Sequence, residues 1–188
     1  MTDPAADPDA DLATRYPVGR FAYDGPTADG RAAALAAIAA LPSQVRAAVD
    51  GLSDAALDTP YREGGWTARQ VVHHLADSHL NASIRVRFAL TEDAPTIKPY
   101  NEARWADLDD ARTGDIAPSL AILDGLHARW SALLDSLSDD AFARTFVHPE
   151  RERSYTLDEA TEMYAWHGRH HLAHIEQAIA RHSHEGDR

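Results

Sequence analysis

The segment HGRHHLAHI, residues 167–175, holds four of the chain's eleven histidines in nine positions. Imidazole is a favoured ligand of Zn²⁺ and Ni²⁺, so the spacing decides whether these rings can converge on one ion. His167, His170, His171 and His174 stand at i, i+3, i+4 and i+7. At about 100° per residue, an α-helix places all four within a stripe about 100° wide. The apolar face of the same segment, Leu157, Ala160, Tyr164, Gly168, Ile175 and Ala178, separates them. His167 and His171 share that face most closely, whereas His170 leans toward Met163, Trp166 and Gln177. Successive helical turns are about 5.4 Å apart, so an inward i, i+4 pair can chelate a single cation.

A third ligand has to come from elsewhere, and HHLADSH, residues 73–79, is the other histidine-rich stretch. On a helical wheel His74 falls in line with Thr67, Gln70, Val71, Asp77, Ser78 and Asn81, a polar line on an otherwise apolar helix. His73 aligns with Trp66, Ala76 and Leu80, and His79 with Val72, Leu75, Ala82 and Val86, positions suited to packing or a helix-to-helix hydrogen bond. His74 is therefore the third ligand, with Gln70, Asp77 and Asn81 as groups that orient the rings or the substrate. His127 is expected behind the ligands, as an extra ligand, or as a satisfied core histidine. His148 either overhangs the site or faces solvent, and His182 and His184 fall in a frayed tail without a role. Three neutral imidazoles with an open fourth position suit Zn²⁺ or Ni²⁺ in a catalytic site, where a metal-bound water with a pKa near about 7 is the nucleophile. The alternative is a hydrogen-bonded histidine cluster, metal-free, in a bundle interior or a subunit interface.

Helices must position these rings. Leu35, Ile38, Leu41, Val45, Ala48 and Val49 recur at helical steps after Thr27, in a run that Pro42 kinks or divides. Residues 64–90 form a second helix with Thr67 as its N-cap. Leu120, Leu123, His127, Trp130 and Leu134 lie on one stripe of a third, and the fourth runs from Leu157 to Arg181. Residues 91–118 are too many for a tight connection and cross the bundle, laying Tyr100 and Trp105 over a core edge. The stretch RTFVHPERERSYTL, 144–157, suggests a short β-hairpin. The class is all-α, a four-helix bundle with long connections: an acidic disordered tail over 1–14, one domain over 15–182 and a frayed end over 183–188. Asp107, Asp109 and Asp110 belong to a solvated, helix-capping loop, and Trp66, Trp105, Trp130 and Trp166 to core and interface.

Composition removes several function classes. Thirty acidic against eighteen basic residues give a formal net charge of −12, a surface that repels nucleic acid and anionic lipid. Cysteine is absent, so disulfides, thiolate ligands and a cysteine nucleophile are excluded, and any thiol chemistry needs an external thiol. Without a signal-like start or 18 uninterrupted apolar residues, a cytoplasmic protein with no membrane partner is expected. Four tryptophans and an Ala-rich first helix lead us to expect a homodimer. No nucleophile elbow, phosphate loop or dinucleotide fingerprint occurs.

Taken in order, RYPVGRF, GGWTARQVVHHLADSH, ALTEDAPTIKPYNEARW, HARW and YAWHGRHHLAHI resemble the YfiT-like branch of the DinB superfamily over about residues 15 to 180. The resemblance implies an up-down-down-up four-helix bundle, often dimeric, with one divalent metal on three histidines. By motif these are the second histidine of HHLADSH, His74, and the first and third of HGRHH, His167 and His171. YfiT-like proteins carry the name of metal-dependent hydrolases, and related DinB proteins are S-transferases or isomerases that use low-molecular-weight thiols such as bacillithiol. Three readings follow: a hydrolase with a metal-activated water and a small-molecule substrate, a bacillithiol-type S-transferase in which an external thiolate takes the water's place, and a non-catalytic, metal-binding stress-response bundle.

Overall fold

The structure, a computed structural model, describes residues 8–186. Its long elements are α2 (Ala28–Val49), α4 (Ala68–Thr91), α7 (Ala117–Asp135) and α9 (Leu157–Gly186). Short ones intervene: α1 (Pro8–Arg15), α3 (Asp54–Leu57), α5 (Glu102–Ala106), α6 (Asp109–Thr113) and α8 (Asp139–Phe142). Strands β1 (Thr145–His148) and β2 (Arg153–Thr156) pair antiparallel around a turn at Pro149–Arg151, which is the hairpin read from the sequence.

The starts of the long helices follow from local chemistry. Thr27 accepts from the Gly30 amide at the head of α2. At the head of α4, Thr67 accepts from the Gln70 amide while Gln70 Oε1 accepts from the Thr67 amide, a reciprocal capping box. Pro42 does not divide α2; the helix runs through all 22 residues.

Helix α2 packs between α7 and α9, and α4 packs between the same two from the other side. Two apolar clusters give the directions. One joins Ala34 and Ile38 of α2 to Val86 of α4, Trp130 of α7 and Ala160 of α9; the other joins Val45, Val72, Leu123 and Ile175 of the same helices. From the first cluster to the second, α2 and α9 run one way and α4 and α7 the other, which is the up-down-down-up order. Both α4 and α7 run toward the first cluster, so the connection 92–116 must travel the length of the bundle. Its start joins the hairpin through the Ile97 amide on Val147 O and the Val147 amide on Pro95 O. Arg69 holds its end, donating to Gly114 O, Asp58 and Asp54.

Both chain ends differ from the sequence expectation. Residues 1–7 of the expected acidic tail lie outside the described residues, but Pro8–Arg15 is helical, and Tyr16 continues it by donating to Leu12 O. At the other end α9 runs past Arg181 to Gly186, and His182 Nδ1 lies 3.1 Å from the Thr59 hydroxyl. His182 therefore ties α9 to the α3 region instead of fraying.

Candidate metal centre

Between the two apolar clusters the bundle carries a layer of imidazoles. His74 from α4 and His167 and His171 from α9 each bring a ring nitrogen to within 4.8 Å of the other two. His74 Nε2 and His167 Nε2 are 3.2 Å apart. Tetrahedral Zn–N bonds of about 2.0–2.1 Å place neighbouring ligand nitrogens about 3.3 Å from one another, so this pair already stands at ligand spacing. Without a cation, one proton shared between the two Nε2 atoms satisfies them; a cation replaces that proton.

The groups behind the ligands determine which nitrogen each ligand offers. His127 Nδ1 is 2.6 Å from Ile38 O, which can only accept, so Nδ1 carries the proton and Nε2 a lone pair. That lone pair lies 2.9 Å from His79 Nδ1, which must then donate; His79 Nε2 in turn accepts, at 3.1 Å, from His167 Nδ1. His167 is left with its lone pair on Nε2, facing His74. Pro42 supplies the free acceptor at the far end. The residue four places after Ile38 would normally donate to Ile38 O, and proline has no amide hydrogen to give. A shorter relay serves His171: His174 Nε2 donates to Arg15 O at 3.3 Å, and His174 Nδ1 lies 3.4 Å from His171 Nδ1, leaving His171 Nε2 for the site.

Burial keeps the rings neutral. Loss of water lowers His74 to about 4, with His170 and His174 nearby adding to the effect. Burial likewise holds His167, His171 and His79 well below the ordinary imidazole value. Neutral imidazole is the metal-binding form, so at neutral pH the donor set fits a borderline divalent ion.

All three rings line a cavity of about 620 Å³, walled also by Trp66, Trp166, Tyr100, Tyr155 and Met163. Ser78 from the polar line of His74 reaches it too, and His148 overhangs it from β1.

The other residues singled out in the sequence lie elsewhere. Gln70 is consumed by the capping box and by donating to Ala106 O. Asp77 lines a separate surface cavity with His73 and Asp110, and Asn81 donates to the Asp77 carbonyl. None of the three orients a ligand or reaches the cavity. A wheel places side chains by angle alone; Gln70 and Asn81 are taken up by the helix cap and by neighbouring backbone, and Asp77 faces the other cavity. His127 is both a satisfied core residue and the far end of the His167 relay. His73 turns away, with Nδ1 2.7 Å from Ser119 Oγ. His170 stacks on Trp166 at 4.6 Å, as its lean toward that residue suggested. The group sequence reasoning missed is His79, whose apolar neighbours on the wheel hid its contact with a ligand; only its capacity for a helix-to-helix hydrogen bond hinted at it. Trp66 and Trp166 wall the cavity in addition to packing.

A four-helix bundle in this order, with three convergent histidines from its second and fourth long helices, defines a class of protein. The family model of the DinB superfamily matches residues 29–175, and the chain belongs to the YfiT-like branch of that superfamily. It is 50% identical over 141 residues to a Bacillus subtilis protein provisionally named metal-dependent hydrolase YfiT, covering 75% of this chain and 79% of that one. A Geobacillus kaustophilus relative with the same provisional function is 51% identical over 163 residues, covering 86% and 91%. Among solved structures, YfiT from Bacillus subtilis, described as a probable metal-dependent hydrolase with an unusual four-helix bundle topology, superposes with a TM-score of 0.87 at 44% identity, over 90% of this chain and 97% of that one.

Proposed function

We propose that this chain is a metal-dependent hydrolase that holds one divalent ion, Zn²⁺ or Ni²⁺, on His74, His167 and His171 and acts on a small molecule, as a homodimer in the cytoplasm. The observation that carries the reading is the opening of all three rings into one cavity. A purely structural ion would be closed in by a fourth protein ligand, and a non-catalytic bundle needs no such space. A divalent ion bound there supplies Lewis-acid polarisation and lowers the pKa of a water toward about 7. The chain's own groups do the rest. The two relays hold the ligand lone pairs toward the site, Trp66 and Trp166 wall it, and the connection 92–116 brings Tyr100 to the cavity.

The names of the relatives support hydrolysis, while an S-transferase would use the same three histidines with an external thiol. Metal-loaded protein is assayed against ester, amide and halogenated electrophiles, with and without bacillithiol. The expected result is turnover without thiol, abolished together with bound metal in His167→Ala and His171→Ala and retained in His73→Ala. Turnover that tracks thiol concentration and vanishes in its absence replaces the hydrolase with the S-transferase.

A further inference from the structure

The cavity beside the three histidines is charged against the grain of the molecule. In a chain of net charge −12, four arginines, Arg20, Arg85, Arg151 and Arg153, line it against two glutamates, Glu102 and Glu159. Glu159 is already taken, because Arg153 Nη2 donates to both of its carboxylate oxygens at 2.7 and 2.8 Å. Arg20 lies over the Tyr16 ring at 4.3 Å, and Arg151 is exposed on the hairpin turn.

Arg85 differs from these. It is half-buried on α4, donates from Nη1 to Tyr164 Oη at 3.0 Å, and has no carboxylate within ion-pair distance among the described residues. A guanidinium offers five donors in a planar fork, and this bond uses one. Tyr164 is in turn edge-on to His167, ring centres 5.9 Å apart, so the cation sits one side chain away from a ligand of the candidate metal centre. A second atom in the same cavity also lacks a partner: His148 Nδ1 is buried and makes no hydrogen bond. Burial, with Arg85 and Arg151 close by, lowers the pKa of His148 and keeps the ring neutral, and a neutral imidazole can still donate from Nδ1. Glu102, on the same wall, is exposed and makes no ion pair with Arg85. A partly desolvated cation without a paired carboxylate and a buried imidazole nitrogen without a partner are both costly unless something else satisfies them. Much of the remaining wall is aromatic or apolar, including Phe21, Phe146, Tyr155 and Met163, with Ser78 and the Tyr100 hydroxyl beside them.

We propose that Arg85 and His148 form a receptor for an anionic group of the substrate, a carboxylate or phosphate on an apolar or aromatic body, and hold the substrate's scissile end toward His74, His167 and His171. The inference rests on the reading of this cavity as the substrate site. Anions are repelled over most of the molecule's surface and favoured here, so the receptor sets specificity as well as affinity.

The test uses the matched probes 4-phenylbutyrate, 4-phenylbutyramide and 4-phenylbutylamine, titrated by the fluorescence of Trp66 and Trp166 in the cavity wall, on metal-free and metal-loaded full-length protein. The carboxylate is expected to bind at least 10-fold tighter than the amide in both forms, and the amine weaker than either. Arg85→Gln should weaken the acid far more than the amide and bring the acid-to-amide ratio to about one, Arg85→Lys should keep part of the preference, and His148→Phe should reduce it. Equal binding of acid and amide, a preference for the amine, or an acid preference that survives Arg85→Gln overturns the proposal. A preference seen only with metal and surviving Arg85→Gln assigns the anion to the ion itself and overturns it too. Metal content, measured separately, reports on the three-histidine site, so the failure of that site and the failure of the receptor give different results.

Discussion

His74, His167 and His171 would be interchangeable imidazoles on a wheel, yet each is held by different chemistry. His167 is backed by His79, His127 and a carbonyl that Pro42 leaves free; His171 is backed by His174; His74 lies against the Trp66 ring at 4.8 Å. Outer hydrogen bonds of this kind fix ligand tautomers, and their loss typically costs about 10–100-fold in metal affinity. His79→Leu is therefore expected to weaken metal binding by about that factor, measured by competition with a chelator. His79→Gln, whose amide oxygen can accept from His167 Nδ1, should recover most of it. Equal affinities for the two variants and the parent would show that the relay does not act on the ligand. His127 contributes through His79, so His127→Phe should have the smaller effect.

The elements succeed or fail at their ends. Helix α4 carries His74, His79 and Arg85, and its register begins at the Thr67–Gln70 box. Thr67→Ala removes one half of that box and is expected to cost about 1 kcal/mol, read as a shift in the urea midpoint with unchanged slope. The cost should fall on stability and not on metal affinity in the folded protein, because His74 lies two turns further along a helix buried on its inner face. Loss of metal affinity without loss of stability would mean that the cap steers the ligand directly.

Across the whole molecule, the buried histidines couple folding to pH. The pKa values of His74 and His174 fall from 6.5 to about 4 on folding, and His79, His167 and His171 shift in the same direction. In each case the unfolded chain binds more protons, so stability rises with pH. The metal-free protein should keep this contribution above about pH 6.5 and lose it progressively as pH falls toward 4, by up to about 1.4 kcal/mol per pH unit for each extra proton bound. Urea titrations across that window check the sign; a flat profile would mean that the histidines are not buried neutral. Because the folded rings resist protonation, proton competition for the metal should set in well below the ordinary imidazole range. Assembly belongs to the same scale. Leu80, Ile84 and Phe88 stand one turn apart on α4 and are each more than two-fifths exposed, an apolar line suited to a two-fold contact. Light scattering is expected to give twice the chain mass, and Ile84→Glu to give the monomer. A parent that is monomeric across a dilution series removes the homodimer.

Periodicity is a local property, and what depends on it could be read directly. The inward pair His167 and His171, the stripe from Leu120 to Leu134, the cap at Thr67 and the hairpin at 145–156 all appear in the structure as the spacing of their residues implies. The placement of His74 on a polar line, and the family resemblance carried by several separated motifs, belong to the same level. What the wheel could not weigh is competition for hydrogen bonds between segments far apart in the chain. Gln70 looked like a ligand-orienting group until the helix cap and Ala106 O claimed it. His79 looked like packing, although it lies 88 residues from His167 in sequence and 3.1 Å from it in space. Pro42 looked set to kink or divide its helix; the helix is not divided, and the missing amide hydrogen leaves Ile38 O to end a relay that starts at a candidate ligand. A side chain's partners are decided by which helices become neighbours, and only the folded bundle decides that.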